Sequence, residues 1–210
     1  NMTEQSNPFL EENFGGGGGS VTIIESKTEV RPWRDAAGAP VFKNGPDGQP
    51  TDEQIVSNNW TLVWLNGEKE RREEYSLGGQ IPTEDGKGFR HPNPERPAKL
   101  HPNSAAAKLA KYLADGGFDM SLLFSDGKID VSALNGAEFA LTYENLLDKD
   151  GNKKTWTDSD GNTRESLKAY PSDFLGFVDG AAKGNGKVVD EELKGKAYEV
   201  VNAAIAEAGG

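Results

Sequence analysis

Aromatic and basic side chains are interleaved at five places in this chain. The segments are Arg31–Arg34 (RPWR), Val41–Lys43 (VFK), Trp60–Trp64 (WTLVW) with Arg71 and Arg72 just beyond, Phe89–His91 (FRH) and Lys153–Trp156 (KKTW). Bases of single-stranded nucleic acid stack on aromatic rings, each contributing roughly 1 to 3 kcal/mol, while their phosphates attract cations. The mixture is therefore typical of a surface that binds a single strand.

The predicted DNA-contact residues are drawn from these segments. They are Arg31, Trp33, Arg34, Phe42, Lys43, Trp64, Arg72, Arg90, Lys153, Lys154 and Trp156. One alternative stays open, because Trp60, Leu62 and Trp64 alternate on one face of a strand and that face can equally belong to the core. Trp33 and Trp156, flanked by polar or basic residues near loops, are the stronger surface candidates.

Other kinds of reactive site have little support in the composition. The chain has no cysteine, which excludes disulfides and cysteine-ligated zinc, and its two histidines, His91 and His101, are expected in loops. The glycine run at 15–19 lacks the Gly-Lys-Ser/Thr sequence of a phosphate-binding P-loop. Nucleophile-elbow, zincin and kinase motifs are absent from the sequence. We therefore expect a protein that is not an enzyme and that uses no cofactor.

The acidic stretch DKDGNKKTWTDSDGN resembles a calcium-binding loop only in part. An EF-hand loop has Gly at its sixth position and Glu at its twelfth. Counted from Asp158, these positions hold Thr163 and Ala169. Two Asp-Gly hairpin turns explain the same residues without a metal. Turns are therefore the prediction, and a metal-dependent enzyme built on the acidic loops is the least favoured alternative.

The charge balance limits how nucleic acid could be bound. Asp and Glu number 34 against 23 Lys and Arg, which gives a formal net charge of -11. This balance argues against a generally basic nucleic-acid binder, but it is compatible with a local basic groove on an acidic exterior. The sequence has no apolar run near the roughly 20 residues of a membrane span and no recognisable secretory signal. We expect a cytoplasmic protein without a membrane partner.

The elements that would position these residues are mostly β-strands. Residues 1–20 are predicted to be a flexible acidic and Gly-rich tail, and residues 21–180 to form one domain. The strongest hairpin signal lies around Asn66 and Gly67, and a long loop before it has one short strand at Val41–Lys43. The consecutive strands predict a mostly β, antiparallel domain.

Helices are predicted at two places. Residues 80–103 contain five prolines and are expected to form a long irregular loop. The helix that follows can be capped by Asn103 or Ser104 and is stopped near Gly116. Residues 181–210 are predicted to be a linker and an amphipathic helix, which docks either on its own domain or on a neighbouring subunit.

The order of these segments resembles a family of bacteriophage single-stranded DNA-binding proteins with an oligonucleotide-binding (OB) fold. The resemblance covers roughly residues 20–178 and rests on VTIIESK, WTLVWLNGEKERREEYSLGG, NSAAAKLAKYLADGGFDM, VSALNGAEFALTYE and AYPSDFLG. Leu134, Gly136 and Phe139 match the family's L-x-G-x-x-F strand start. The resemblance implies a five-stranded OB-like antiparallel barrel with long loop insertions, one internal helix and a C-terminal helix.

The same resemblance implies a function and partners. It points to non-specific binding that protects single-stranded DNA during phage replication or recombination in the host cytoplasm, with replication or recombination proteins as further partners. The oligomeric state stays open. A second class of function also stays open, since an acidic, Gly-rich β domain suits a virion structural, decoration or adaptor protein, and an OB fold hosts many ligands.

Overall fold

The computed structural model describes residues 20–35, 37–66, 68–178 and 191–205. Over these residues the protein is mostly β, as predicted, with a five-stranded antiparallel sheet and two helices. Apart from Ser20, the predicted tail lies outside the described residues, and so do residues 181–190 of the predicted linker. None of the described helices is long and apolar enough to cross a membrane.

The strands and helices follow one another with short irregular connections. They are β1 (Ser20–Pro32), β2 (Phe42–Asn44), β3 (Pro50–Gln54), β4 (Val56–Asn66), β5 (Lys69–Ser76), β6 (Ile81–Pro82), β7 (Phe89–Arg90), α1 (Ala105–Asp115), β8 (Phe124–Ser125), β9 (Lys128–Ile129), β10 (Ala137–Asn145), β11 (Thr155–Thr157), β12 (Thr163–Glu165), β13 (Leu167–Phe177) and α2 (Glu191–Ala204). Short 3-10 turns lie at Met120–Leu122 and Val131–Leu134. The main sheet has the strand order β13-β10-β1-β4-β5.

Strand β1 joins the two halves of the sheet because it pairs on both sides. Its first residues, Ser20 to Thr22, pair with β10, and the remainder, from Ile23 to Pro32, pairs with β4. A register shift between Ile23 and Glu25 lies where the partner changes. Such an irregularity bends a strand and increases its twist, which lets one strand serve both halves.

The hairpin predicted near Asn66 is formed by β4 and β5, which pair from Asn59↔Ser76 to Asn66↔Lys69. Its inward face is apolar because side chains alternate along β4. Trp60 and Leu62 have no exposed surface. The Trp60 indole nitrogen donates to the Ser26 hydroxyl on β1 at 2.9 Å, so the polar end of this ring is satisfied inside the core.

Helix α1 follows the signals in the sequence. The Ser104 hydroxyl accepts a hydrogen bond from the Ala107 N–H at 3.1 Å and caps the first turn. Gly116 ends the helix and allows close packing, since a Cβ there would lie 2.2 Å from the Ser172 carbonyl oxygen of β13. The apolar face, which includes Leu109, is fully buried. The predicted helix and its limits are confirmed.

The Pro-rich segment 80–103 is irregular over most of its length, as predicted, although β6 and β7 form a short ladder within it. It is attached to the sheet through β1. The Thr28 N–H donates to the Gly86 carbonyl at 2.6 Å, and the Thr28 hydroxyl donates to the Gly88 carbonyl. The rest of the segment turns back beside the end of β5, where the Lys99 N–H donates to the Gln80 side-chain oxygen at 3.3 Å.

Helix α2 packs on its own chain, against α1 and β8. Ala197, Val201 and Ile205 are at most 7% exposed. The Leu100 N–H donates to the Ala204 carbonyl at 2.9 Å. This hydrogen bond joins the C-terminal end of α2 to the segment that precedes α1. The predicted amphipathic helix is confirmed, and of its two alternative positions the structure has the one on its own domain.

The edge strands β5 and β13 approach each other without backbone pairing among the described residues. The Tyr75 hydroxyl donates to the Ala169 carbonyl at 2.5 Å, and the Lys168 ammonium donates to the Glu74 carbonyl. The rings of Tyr75 and Tyr170 lie 5.4 Å apart. The sheet is therefore curled until its edges touch through side chains, and the described strands do not close a barrel by hydrogen-bonded ladders.

Candidate nucleic-acid interface

The connection between β1 and β4 is a folded unit. We call residues 33–55, which include β2 and β3, insert 1. Three backbone hydrogen bonds join its ends: Trp33 N–H to Ile55 O at 2.9 Å, Val41 N–H to Trp33 O at 3.0 Å and Ile55 N–H to Val41 O at 2.8 Å. Insert 1 is therefore a pair of consecutive hairpins that share one root on the sheet.

The connection between β10 and β13 repeats this arrangement. We call residues 146–166, which include β11 and β12, insert 2. Its root has the same three hydrogen bonds: Leu146 N–H to Ser166 O at 2.8 Å, Lys154 N–H to Leu146 O at 2.7 Å and Ser166 N–H to Lys154 O at 2.8 Å. Two parts of the chain thus build the same double hairpin independently.

Each insert contains two five-residue loops, and all four loops have the same hydrogen bond and the same glycine position. They are residues 35–39 and 45–49 in insert 1, and 148–152 and 158–162 in insert 2. In every loop the N–H of the first residue donates to the carbonyl of the fifth, and the fourth residue is a Gly with φ between 77° and 83°. Glycine is favoured there because a side chain strains this left-handed conformation.

Three of the four loops begin with an aspartate, Asp35, Asp148 or Asp158, whose carboxylate accepts from the N–H of the fifth residue. In insert 2, Asp148 and Asp158 each accept backbone N–H bonds, from Asn152 at 2.9 Å and from Asn162 at 2.8 Å. These backbone hydrogen bonds are the main cause that lowers the pKa of both carboxyls. The two predicted Asp-Gly turns are confirmed. Within the described ranges, no three acidic or histidine side chains are grouped as a metal site.

Large exposed rings lie on the inserts. Trp33 is 55% exposed, Trp156 44% and Phe42 39%, so the predicted surface position of the two tryptophans is confirmed. Trp60 and Trp64, in contrast, are 0% and 1% exposed, which confirms the core alternative for both. The prediction that Trp64 contacts DNA is wrong, because an indole sealed in the core presents no face to a base.

The two arginines predicted on the sheet are already paired with glutamates. Arg31 Nε lies 2.8 Å from a Glu74 carboxylate oxygen, and Arg72 Nε lies 3.2 Å from the same oxygen. Arg72 also contacts Glu29, which in addition accepts a hydrogen bond from Thr61 at 2.7 Å. We call Glu29, Arg31, Arg72 and Glu74 the outer-face network. Its two positive and two negative charges cancel, so a phosphate competes with glutamates for both guanidinium groups.

Two lysines of the inserts are also neutralised. Lys43 on β2 pairs with Glu53 on β3, and Lys153 pairs with Glu165 on β12 at 2.8 Å. All four side chains are about half exposed or more. Exposed pairs of this kind contribute little, about 0 to 1 kcal/mol, so phosphates compete with them more easily than with a buried pair.

The remaining predicted cations have no ion-pair partner among the described residues. Arg34 donates to the Gly38 carbonyl at 2.8 Å within its own turn, and Arg90 donates to the His91 carbonyl at 3.4 Å. The Lys154 charge helps to lower the pKa of Asp148, although hydrogen bonding from Asn152 is the main cause. Arg34 lies in insert 1 and Lys154 in insert 2, whereas Arg90 lies on β7 and belongs to neither insert.

Both inserts are rooted beside the same part of β5. Arg31, one residue before the end of β1, contacts Glu74, and Lys168, the second residue of β13, lies 3.6 Å from a Glu73 carboxylate oxygen. The Lys168 ammonium also lies 4.7 Å from the centre of the Tyr75 ring. Since Glu73 and Glu74 are consecutive near the end of β5, both inserts are rooted close to the same part of this edge strand.

Sequence reasoning missed Glu73 and Lys168 as organising residues of this edge. Burial raises the pKa of Glu73, while the charge of Lys168 opposes that rise. Burial also raises the pKa of Tyr143 and of Tyr170 to about 12. No local signal marks these residues in the sequence, because their roles depend on β5 and β13 becoming neighbours.

Comparisons of this chain with models of known protein families, with curated proteins and with solved structures find no match. The resemblance to phage OB-fold proteins therefore stays a prediction from the sequence. The function is inferred below from the two inserts, their rings and their charges.

Proposed function

We propose that this chain is a non-specific single-stranded DNA-binding protein, phage-encoded, whose OB-like barrel holds the strand between insert 1 and insert 2. The observation that carries the proposal is the placement of Trp33, Phe42 and Trp156. These exposed rings lie on two double hairpins that are rooted at one edge of the sheet. A strand that crosses this edge meets stacking surfaces on both sides.

The order of the strands supports an OB-like assignment. Along the chain the five sheet strands are β1, β4, β5, β10 and β13, with α1 between the third and the fourth. Inserts 1 and 2 occupy the first-to-second and fourth-to-fifth connections. OB folds bind oligonucleotides on the face of their second and third strands and with these two connections. In this assignment, the Tyr75 and Lys168 contacts bring the edges of the barrel together.

The chemistry of the inserts favours stacking over charge as the main source of affinity. Each base stacked on Trp33, Phe42 or Trp156 contributes roughly 1 to 3 kcal/mol. Lys43, Lys153 and Arg164 of the inserts are ion-paired with Glu53, Glu165 and Asp158, so few insert cations are left to phosphates without competition. An acidic exterior suppresses non-specific adhesion elsewhere on the molecule. Binding that depends on rings rather than base edges accepts any sequence.

The test is anisotropy of a labelled oligo-dT with Trp33→Ala and Trp156→Ala. Each substitution removes one stacking surface, so each is expected to weaken binding by about fivefold to a hundredfold, from roughly 1 to 3 kcal/mol per base. The matched control is Tyr198→Ala on α2, whose ring is 40% exposed but lies outside the inserts, and we expect it to bind as the unmodified chain does. Absence of binding by the unmodified chain at tens of micromolar and low salt would end the proposal.

A second function has one specific observation in its favour. Aliphatic side chains are exposed at the roots of the inserts: Leu146 and Leu147 are 38% and 56% exposed, and Val30 and Val56 are 51% and 47% exposed. Apolar patches of this kind mark protein contacts, which suits a virion structural or adaptor protein. Recovery of the chain in purified particles, together with failure of the oligo-dT test, would favour this alternative.

A further inference from the structure

A small cavity lies between the end of β5 and the segment that precedes α1. Its volume is about 280 Å³, and its polar lining comes from Gln80, His91, Arg96, Lys99 and His101. None of the lining residues is acidic, although Asp and Glu outnumber Lys and Arg in the chain by 34 to 23. The cavity is therefore a local exception to the charge of the molecule.

The two histidines are held by the same short motif. His-Pro-Asn occurs at 91–93 and again at 101–103. In each copy the backbone N–H of the asparagine points at Nδ1 of the histidine, at 2.9 Å for His91 and 3.2 Å for His101. The two copies place both imidazoles on one cavity.

The asparagine N–H favours one tautomer of each ring. A backbone N–H only donates, so the Nδ1 atom that faces it accepts, and a neutral ring then carries its hydrogen on Nε2. His91 Nδ1 also lies 3.1 Å from the Asn93 carbonyl oxygen, to which it donates when that nitrogen carries the hydrogen. Neither Nε2 has a hydrogen-bond partner among the described residues.

The other polar groups of the cavity are donors as well. Arg96 and Lys99 form no ion pair within the described residues, unlike Arg31, Arg72, Lys43 and Lys153. Gln80 is only 7% exposed, and its side-chain oxygen is occupied by the Lys99 N–H. Its amide N–H₂ has no described partner, so this buried group also has donors to offer.

We propose that this cavity binds a phosphoryl group. The lining residues carry guanidinium, ammonium, amide and imidazole N–H donors and no carboxylate, which favours an anion with several oxygens. The volume admits the phosphoryl group with part of the molecule that carries it. Two sources supply the same chemistry: a phosphate of a bound strand, since the cavity begins two residues after β5, or free phosphate and nucleotides.

The experiment follows the histidine side-chain nitrogens of the full chain by NMR while inorganic phosphate is added at constant ionic strength. We expect the Nε2 signals of His91 and His101 to shift until they saturate, with a Kd of roughly 1 mM or tighter. The same titration with chloride is expected to leave these signals unshifted. Failure to saturate in the unmodified chain overturns the proposal, and this result does not depend on any variant folding.

A matched pair of variants assigns the site. Arg96→Ala with Lys99→Ala is expected to weaken phosphate binding by about tenfold or more, since charge-assisted hydrogen bonds are lost. Lys87→Ala with Lys111→Ala removes the same charge from exposed positions outside the cavity and is expected to leave binding unchanged. Equal losses in the two variants would reduce the effect to net charge and overturn the cavity assignment.

Oligo-dT then separates the two sources. If a strand supplies the phosphate, the Arg96 and Lys99 variant binds oligo-dT more weakly and inorganic phosphate competes with the strand. If the ligand is free, oligo-dT binding is unchanged while phosphate binding is lost. Both outcomes support the cavity, and failure of the chain to bind oligo-dT at all would leave the phosphate result standing by itself.

Discussion

At the scale of single residues, position in the fold decides what each aromatic ring does. The four tryptophans divide evenly, with Trp60 and Trp64 sealed in the core and Trp33 and Trp156 on the inserts. Strand alternation buries the first pair, while the turns of the inserts carry the second pair away from the sheet. The rings that can stack on bases are those that no core position requires.

Glu73 allows a prediction about pH at this scale. Burial raises the pKa of Glu73 in the folded chain. At a pH between the unfolded and the folded pKa, Glu73 is therefore mostly protonated in the folded chain and mostly ionised in the unfolded chain. Stability from this group is therefore full at low pH and falls as the pH rises through the folded value. Relative to Glu73→Gln, the unmodified chain should gain free energy of unfolding when the pH falls from about 7.5 to about 4.5.

Urea denaturation of both proteins at the two pH values measures this difference. The comparison is made with the variant because Asp148 and Asp158 have lowered pKa values and contribute the opposite trend in both proteins. The measured quantity is the free energy of unfolding of the unmodified chain minus that of Glu73→Gln. If it stays constant, or grows as the pH rises, burial does not destabilise the ionised Glu73 carboxyl.

At the scale of elements, we expect each insert to be removable without unfolding the sheet to which it is attached. The root of insert 2 already pairs Leu146 with Ser166 as a hairpin would, with an N–H to carbonyl distance of 2.8 Å. The equivalent pair in insert 1 is Trp33 and Ile55 at 2.9 Å. The buried core contains no described residue of either insert, so we expect the sheet to fold without them.

Shortening insert 2 tests this separation. Replacing residues 147–165 with Asn-Gly makes a two-residue hairpin turn, and we expect cooperative urea unfolding to be retained. Oligo-dT binding should weaken by about fivefold or more, because Trp156 and Lys154 are removed. The companion variant replaces residues 34–54 with Asn-Gly and keeps Trp33. Full-strength binding by both shortened chains would place the strand elsewhere on the molecule.

At the scale of the whole molecule, the balance of charges determines how strongly DNA affinity depends on salt. The net charge is -11, so carboxylates compete with phosphates for the cations. Most predicted contact cations, namely Arg31, Arg72, Lys43 and Lys153, are ion-paired with carboxylates, so few of them are available to phosphates. Each phosphate neutralised on a single strand contributes about 0.7 to the salt slope. We expect log K for oligo-dT to fall with log salt with a slope of only about 1 to 2.

Removing one glutamate from the outer-face network should change that slope. In Glu74→Gln, Arg31 and Arg72 lose a carboxylate they share, so affinity at low salt should rise and the slope should steepen by about 0.7. Glu199→Gln on α2 makes the same change in charge at an exposed position far from the network in the chain. Identical salt slopes for the two variants would show that the strand does not pass over the outer-face network.

Local elements were readable from the sequence because their signals lie within a few residues. The Ser104 cap and the Gly116 stop predicted α1, alternation predicted the burial of Trp60, and the Asp-Gly turns of insert 2 were predicted from their own five residues. The site was predicted in part. The exposure of Trp33 and Trp156 was predicted correctly, but Trp64 was misplaced and the pairing of Arg31 and Arg72 with glutamates was not foreseen.

By itself the sequence determined the class of the protein: acidic, without cysteine, mostly β, with two helices and exposed rings near turns. Only the tertiary structure decided that β1 pairs on both sides, that both inserts flank β5 and that two His-Pro-Asn motifs share one cavity. The reason is distance along the chain. Tyr75 and Ala169 are 94 residues apart, and contacts of that range follow from packing the whole core rather than from any local preference.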